Sequence, residues 1–223
     1  MSRTLRGSYS GNISAFQADA ESSILLPRSK FMLPVIEENS LVRKYNFSSL
    51  ITKQDDFEAC EVIKQIIADG NYFTNSPKFQ TKENLFARPE PIWLKYRMSF
   101  LFSVFMYLGR EVKVGNMMAW SFMTNLEGAE DREKLWHDHW HPTTPNARML
   151  SGIWYLHIPE DVKDRDYAGA EVAPNGVKED GKFFVRPTDG QWLIYPSQTW
   201  HRPGIVQSNQ YRFVLAADIE YQI

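Results

Sequence analysis

The spacing of apolar residues divides the chain into two regimes. Between residues 55 and 70, Phe57, Cys60, Ile63, Ile66 and Ile67 recur at three- and four-residue steps, the repeat of one helical face. Asp55 or Asp56 is the expected N-cap, and Gly70 the expected stop. A second helix is predicted from Pro91, a favourable first helical residue, to Gly109. Its stretch 98–108 is apolar on most sides. It is too short to span a bilayer and is flanked by Lys95, Arg97 and Arg110, so it reads as a helix buried against a sheet.

From Val112 the period changes. Short runs rich in Val, Ile, Trp, Tyr and Phe occupy 116–124, 135–141, 149–158, 169–173, 182–186, 191–195, 204–206 and 211–221. Turn residues separate them, among them Pro174-Asn175-Gly176, Asp180-Gly181, Asp189-Gly190 and Ser208-Asn209. Short strands at this density predict a mainly β fold, a double-sheet jelly roll preceded by α-helices. The expected organisation is a single domain over 1–223. Residues 1–111 form an N-terminal arm (with a short strand near 31–36) and supporting helices, and 112–223 form the jelly-roll core.

Composition narrows the function classes. Hydrophobic residues at 43% and charged residues at 23% are those of an ordinary globular protein. A formal charge of −2 leaves no footprint for bulk nucleic-acid binding. The single cysteine, Cys60, excludes an internal disulfide and a cysteine-based zinc site, and reads as a small buried hydrophobe. No apolar signal region follows Met1, and 1–17 reads as a flexible arm. On these features the expected location is the cytoplasm, away from membranes.

The candidate chemistry lies in the histidines. All five fall after residue 136, and three stand at alternate positions: His137, His139 and His141. On a strand these share one face while Asp138 and Trp140 share the other. Imidazoles so spaced can chelate one ion, and the ligand type suits Fe, Zn, Cu or Ni. His157, alone in another strand, reads as an ordinary histidine. The run 190–197 leads to His201, and Arg212 follows across the Ser208-Asn209 turn. That spacing predicts His201 and Arg212 on neighbouring antiparallel strands. A planar guanidinium beside a metal is a clamp for a carboxylate.

The order of these fragments resembles the Fe(II)- and 2-oxoglutarate-dependent oxygenases, in the branch near the prolyl hydroxylases. Carrying the resemblance are His139-Trp140-His141-Pro142, the strand Leu150-Ser151-Gly152-Ile153-Trp154-Tyr155-Leu156, Gly169-Ala170-Glu171, the Tyr195-Pro196-Ser197 strand end, His201 and Arg212. It implies a double-stranded β-helix with iron in its mouth and 2-oxoglutarate as co-substrate. Arg212 would pair the far carboxylate, with Tyr155 beside it, and O2 would be consumed in hydroxylating a small molecule or a protein side chain. The usual triad of that family is two histidines and one carboxylate, the carboxylate two residues after the first histidine. Here no acid stands at that spacing. The preferred ligand set is His139, His141 and His201. The alternatives are His137, His139 and His201, a bulge that brings in Asp138, or Glu171 as a distant carboxylate.

Asp138 or Asn125 is the candidate to orient a ligand histidine. Trp120, Trp154, Tyr155, Trp192 and Trp200 are candidates to line the pocket, or else core. Two other functions compete: a non-catalytic jelly-roll binding module, and a three-histidine dioxygenase that uses no 2-oxoglutarate. Arg212 separates the last from the first, since such an enzyme needs no co-substrate clamp. The roles open to residues 1–111 are supporting the sheet, a homodimer contact, or a cover over the mouth.

Overall fold

The computed structural model describes residues 35–37, 41–75, 78–126 and 135–223. Eleven strands form two antiparallel sheets among these residues. In chain order the strands are β1 (Val35–Glu37), β2 (Arg43–Asn46), β3 (Tyr72–Asn75), β4 (Lys78–Thr81), β5 (Lys113–Thr124), β6 (Arg148–His157), β7 (Ala170–Ala173), β8 (Phe183–Val185), β9 (Gln191–Pro196), β10 (Trp200–Pro203) and β11 (Arg212–Gln222). The larger sheet runs β1-β2-β9-β6-β11-β5-β4-β3, and the smaller β10-β7-β8. The helices are α1 (Lys53–Ala68) and α2 (Pro91–Leu108).

Both helices form where their sequence periodicity places them, with one change at the start of α1. Its N-cap is Thr52, not Asp55 or Asp56. Thr52 Oγ1 accepts from Asp55 N–H at 3.2 Å, and the Asp55 carboxylate accepts from Thr52 N–H at 2.8 Å, a reciprocal capping box. Phe57, assigned to the inner face, is 58% exposed. Asp56, Cys60, Ile63 and Ile66 form the buried stripe, and Phe57 lies roughly 100° round from Asp56. Gly70 follows the helix at φ 77°, and α2 ends on Gly109 at φ 68°, both in the left-handed region that suits glycine. Cys60 is buried, and that burial pushes its thiol up to about 12.

Strand alternation sorts the core into two layers. On β6, β9 and β11 one set of side chains (Trp154, Trp192, Ile194) faces the helices. Trp192 Nε1 donates to Ser99 Oγ of α2 at 2.8 Å, and Trp154 Nε1 to Asp56 Oδ1 of α1 at 2.8 Å. Phe100 packs on Trp192 with ring centroids 4.9 Å apart. Gly152 permits this approach: a Cβ there would come within 2.5 Å of the Phe100 ring. The opposite set (Ile153, Tyr155, Leu193, Tyr195, Val214) meets Ala170, Val172 and Val185 of the smaller sheet in a second buried cluster.

Several expectations are corrected. The run 135–141 is not a strand, and its pairing is a single bridge, His137 to His201. The chain turns after His139: Trp140 N–H donates to Asp138 Oδ1 at 3.2 Å, and His141 N–H to the His139 carbonyl at 2.9 Å. The run 204–206 is irregular, and strand β10 comes earlier and contains His201. β10 and β11 are not sheet neighbours; they belong to different sheets. Residues 1–111 supply β2, β3 and β4, which the hydrophobic pattern did not disclose. These strands are four residues each, too short for alternation to register. Of the strand expected near 31–36, residues 31–34 lie outside the described residues.

Candidate metal centre

The site is assembled between the two sheets by three independent pieces of chain. β10 carries His201, buried and paired through its strand with β7. The segment before the turn at Trp140 carries His137 and His139. It is pinned by reciprocal backbone bonds between His137 and His201 (3.0 and 3.1 Å) and by His139 N–H donating to the Ser197 carbonyl at 2.8 Å. β11 brings Arg212 and Asp218 to the same inner face, six residues apart on alternating positions.

His137, His139 and His201 present ligand nitrogens within 4.8 Å of one another. Their ring centroids lie 4.4 to 5.0 Å apart. The set preferred from the sequence, with His141 in place of His137, differs from this trio at one member. His141 is exposed, because the tight turn after His139 ends the alternation that would have kept it on the shared face. Asp138 caps that turn and does not join the cluster. Glu171 does not join it either: its carboxylate accepts from Arg202 Nε at 2.7 Å. His157 is exposed at the end of β6, against Phe213.

The donor set fits a metal ion. His137 Nδ1 lies 2.8 Å from the Leu135 carbonyl, His201 Nδ1 2.9 Å from the Thr199 carbonyl, and His139 Nδ1 3.0 Å from Asp218 Oδ1. Carbonyl and carboxylate oxygens only accept, so each Nδ1 carries the proton and each Nε2 offers its lone pair. This is the tautomer a metal requires of an imidazole ligand that is oriented from behind. Asp218 is the residue that sequence reasoning missed: neither Asp138 nor Asn125 has this role. Ser151 Oγ donates to the same carboxylate oxygen at 2.6 Å and lies 2.9 Å from Ser197 Oγ, so Asp218 is itself held. Its signal was present in the chain as a lone acid inside the apolar run Phe213–Ile219 of β11.

The second component is a cation in the same pocket. Arg212 is 1% exposed, and its Nη1 donates to the carbonyls of Ala168 and Gly169. Its Nε is buried without a hydrogen-bond partner. Burial lowers its pKa to about 10, so it stays charged at neutral pH. Arg202 also lines the pocket, but it is paired with Glu171 and stacked on Trp136 at 4.4 Å. Around Arg212 and the three histidines stand Trp120, Phe122, Ile153, Tyr155, Tyr195 and Val214. Of the aromatic candidates, Trp120 and Tyr155 line this pocket. Trp154 and Trp192 pack under the helices, and Trp200 is 40% exposed.

No family model and no curated protein sequence matches the chain. Solved structures do match in fold. A prolyl-4-hydroxylase from Pseudomonas putida superposes with a TM-score of 0.57 at 10% identity, over 82% of this chain and 93% of that one. The fold is the double-stranded β-helix of the 2-oxoglutarate-dependent oxygenases. A Trichoplax adhaerens prolyl hydroxylase, solved with a peptide fragment of the hypoxia inducible factor oxygen degradation domain, matches at 0.55 and 12% identity, over 82% and 84% of the two chains. The alpha-ketoglutarate-dependent carbocyclase SnoK of nogalamycin biosynthesis matches at 0.58 and 9%, over 79% of each. The fold is thus shared by proteins whose names state more than one reaction, hydroxylation and carbocyclisation.

Proposed function

We propose that the protein is an Fe(II)- and 2-oxoglutarate-dependent oxygenase whose outcome is hydroxylation of a small molecule or a protein side chain. One observation carries this reading: three imidazoles with ligand nitrogens within 4.8 Å of one another, and an arginine with no acidic partner among the described residues, line one pocket. A three-histidine dioxygenase without a co-substrate has no use for such an arginine. A binding module has no use for three histidines oriented from behind.

In this reading His137, His139 and His201 hold the metal, and Arg212 pairs the far carboxylate of 2-oxoglutarate. Placing that anion beside Arg212 gives the buried Nε an acceptor and offsets the desolvation of the guanidinium. Tyr155, on the neighbouring strand β6, lies beside the same co-substrate. Iron held by these histidines would supply, with 2-oxoglutarate and O2, the oxidant for an unactivated C–H bond, one oxygen atom going to succinate with release of CO2 and the other to the substrate. The apolar walls at Phe122, Ile153 and Val214 exclude water from that chemistry. The ligand set departs from the usual triad, because His139 stands where the carboxylate would be, two residues after His137. Asp218 supplies a carboxylate one bond further out, through His139.

The test is anaerobic loading with Fe(II) and 2-oxoglutarate, then oxygen addition and measurement of succinate. Uncoupled turnover is expected even without the true substrate. No succinate above the level of a His201→Ala control would refute the reading.

A further inference from the structure

Tyr195 has a place in this pocket that the metal reading does not use. It sits on β9 and is 1% exposed, with its hydroxyl 3.2 Å from His201 Nε2. Because the Thr199 carbonyl takes the Nδ1 proton of His201, Nε2 has none, and the phenol is the donor.

A metal ion on His201 needs the same lone pair that the phenol now occupies. Loading the site therefore breaks the Tyr195–His201 hydrogen bond. The hydroxyl is then a buried donor that has lost its His201 acceptor, on a residue packed in the core cluster with Ile153, Tyr155, Leu193 and Val214. Asp218 Oδ1 is already bonded by His139 and Ser151. A buried donor is costly to leave unmade, and co-substrate binding brings a new acceptor to the same place, an oxygen on the ion.

We propose that Tyr195 is a hydrogen-bond donor that changes partner. It holds His201 Nε2 in the metal-free protein and donates to the metal-bound oxygen of 2-oxoglutarate in the loaded one. No proton is transferred; the phenol exchanges one acceptor for another. This inference rests on the proposed metal and co-substrate site.

The test compares wild type with Tyr195→Phe, after thermal unfolding has established that the variant folds. Fe(II) is titrated anaerobically into each metal-free protein. 2-Oxoglutarate is then titrated into each Fe(II)-loaded protein and followed by the visible charge-transfer absorption of the iron–co-substrate pair. Tyr195→Phe is expected to bind Fe(II) roughly two- to tenfold more tightly, since a competing hydrogen bond is gone. It is expected to bind 2-oxoglutarate about tenfold more weakly, with a shifted absorption band. Unchanged or weaker Fe(II) affinity would overturn the proposal, as would an unchanged co-substrate affinity and band. A visible phenolate band in Fe(III)-loaded wild type without 2-oxoglutarate, absent in the variant, would overturn it too, because Tyr195 would then be a ligand. In wild type labelled at the tyrosine ring carbon that bears the hydroxyl, a resonance shift on Zn(II) loading and a second on 2-oxoglutarate addition are expected. Absence of the second shift counts against the proposal even if Tyr195→Phe does not fold. Failure of the metal reading itself looks different: wild type takes up no Fe(II) at all.

Discussion

At the scale of single residues, the site depends on what stands behind each functional group. His139 can present its Nε2 lone pair to a metal because its Nδ1–H donates to Asp218, and Asp218 stays in place because Ser151 holds it. Asp218→Ala should therefore weaken Fe(II) affinity by about 10- to 100-fold while the fold survives. Isothermal titration of the metal-free variant checks this, and wild-type affinity would remove Asp218 from the site. The same reasoning separates the histidines. His137→Ala should lose the metal, whereas His141→Ala should keep it, since His141 is exposed beyond the turn; metal content after desalting reads both. Arg212→Ala should leave Fe(II) binding intact and lower 2-oxoglutarate affinity by roughly 30-fold or more, the cost of truncating one partner of a buried charge pair. Co-substrate titration of the Fe(II)-loaded variant measures it. Residue type alone drew attention to Arg212 and His201; the spacing argument that put them on neighbouring strands failed, because they lie in different sheets. Asp218 was harder to see, because an acid on a central strand gains its meaning only from the partner across the interior.

At the scale of elements, periodicity located α1, α2 and most of the long strands, because each buries a face several turns or pairs long. It failed where a local hydrogen bond overrides the repeat. The Asx turn at Asp138 and the tight turn at His141 end a pattern that reads as strand. The start of α1 shows a related effect. Asp56 lies on the buried stripe, where its Oδ1 accepts from Tyr96 Oη at 2.7 Å and Trp154 Nε1 at 2.8 Å. Burial lifts its carboxyl to about 6, even though these hydrogen bonds favour the ionised form. The folded state therefore binds this proton more tightly than the unfolded chain, whose Asp titrates near 3.8. The contribution to stability is full below about pH 4 and is lost as pH rises through about 6, a cost of about 3 kcal/mol above that. Asp56→Asn keeps an acceptor and removes the charge. It should flatten the stability profile between pH 4 and 6 and raise stability at pH 7 by roughly 1–3 kcal/mol, as read from urea denaturation at each pH. A profile that still falls in parallel with wild type would reject this assignment.

At the scale of the whole molecule, the ligands of the proposed site come from separate parts of the fold. His201 belongs to the smaller sheet, Arg212 to the larger, and His137 and His139 to a segment bonded to β10 and to Ser197. Fe(II) and 2-oxoglutarate together would therefore join the two sheets across the interior. Ligand that binds only the folded state at 100 times its Kd adds about 2.7 kcal/mol, so a clear rise in Tm is expected with both added. His201→Ala should abolish that rise, and scanning calorimetry with and without Fe(II) tests it. Arg202 and Glu171, paired between β10 and β7, tie the smaller sheet together beside the site without taking part in metal binding.

Local sequence by itself determined the helices, the β-rich second half and the residue types of the site. Each of these follows from a repeat of two or three to four residues, or from chemistry that few side chains can supply. Tertiary structure alone decided which two of the three clustered histidines join His201, which carboxylate orients His139, and that His201 and Arg212 line one pocket from different sheets. Such choices depend on contacts between segments distant in the chain, such as Asp218 with His139 and His137 with His201, and no periodicity within one segment encodes them.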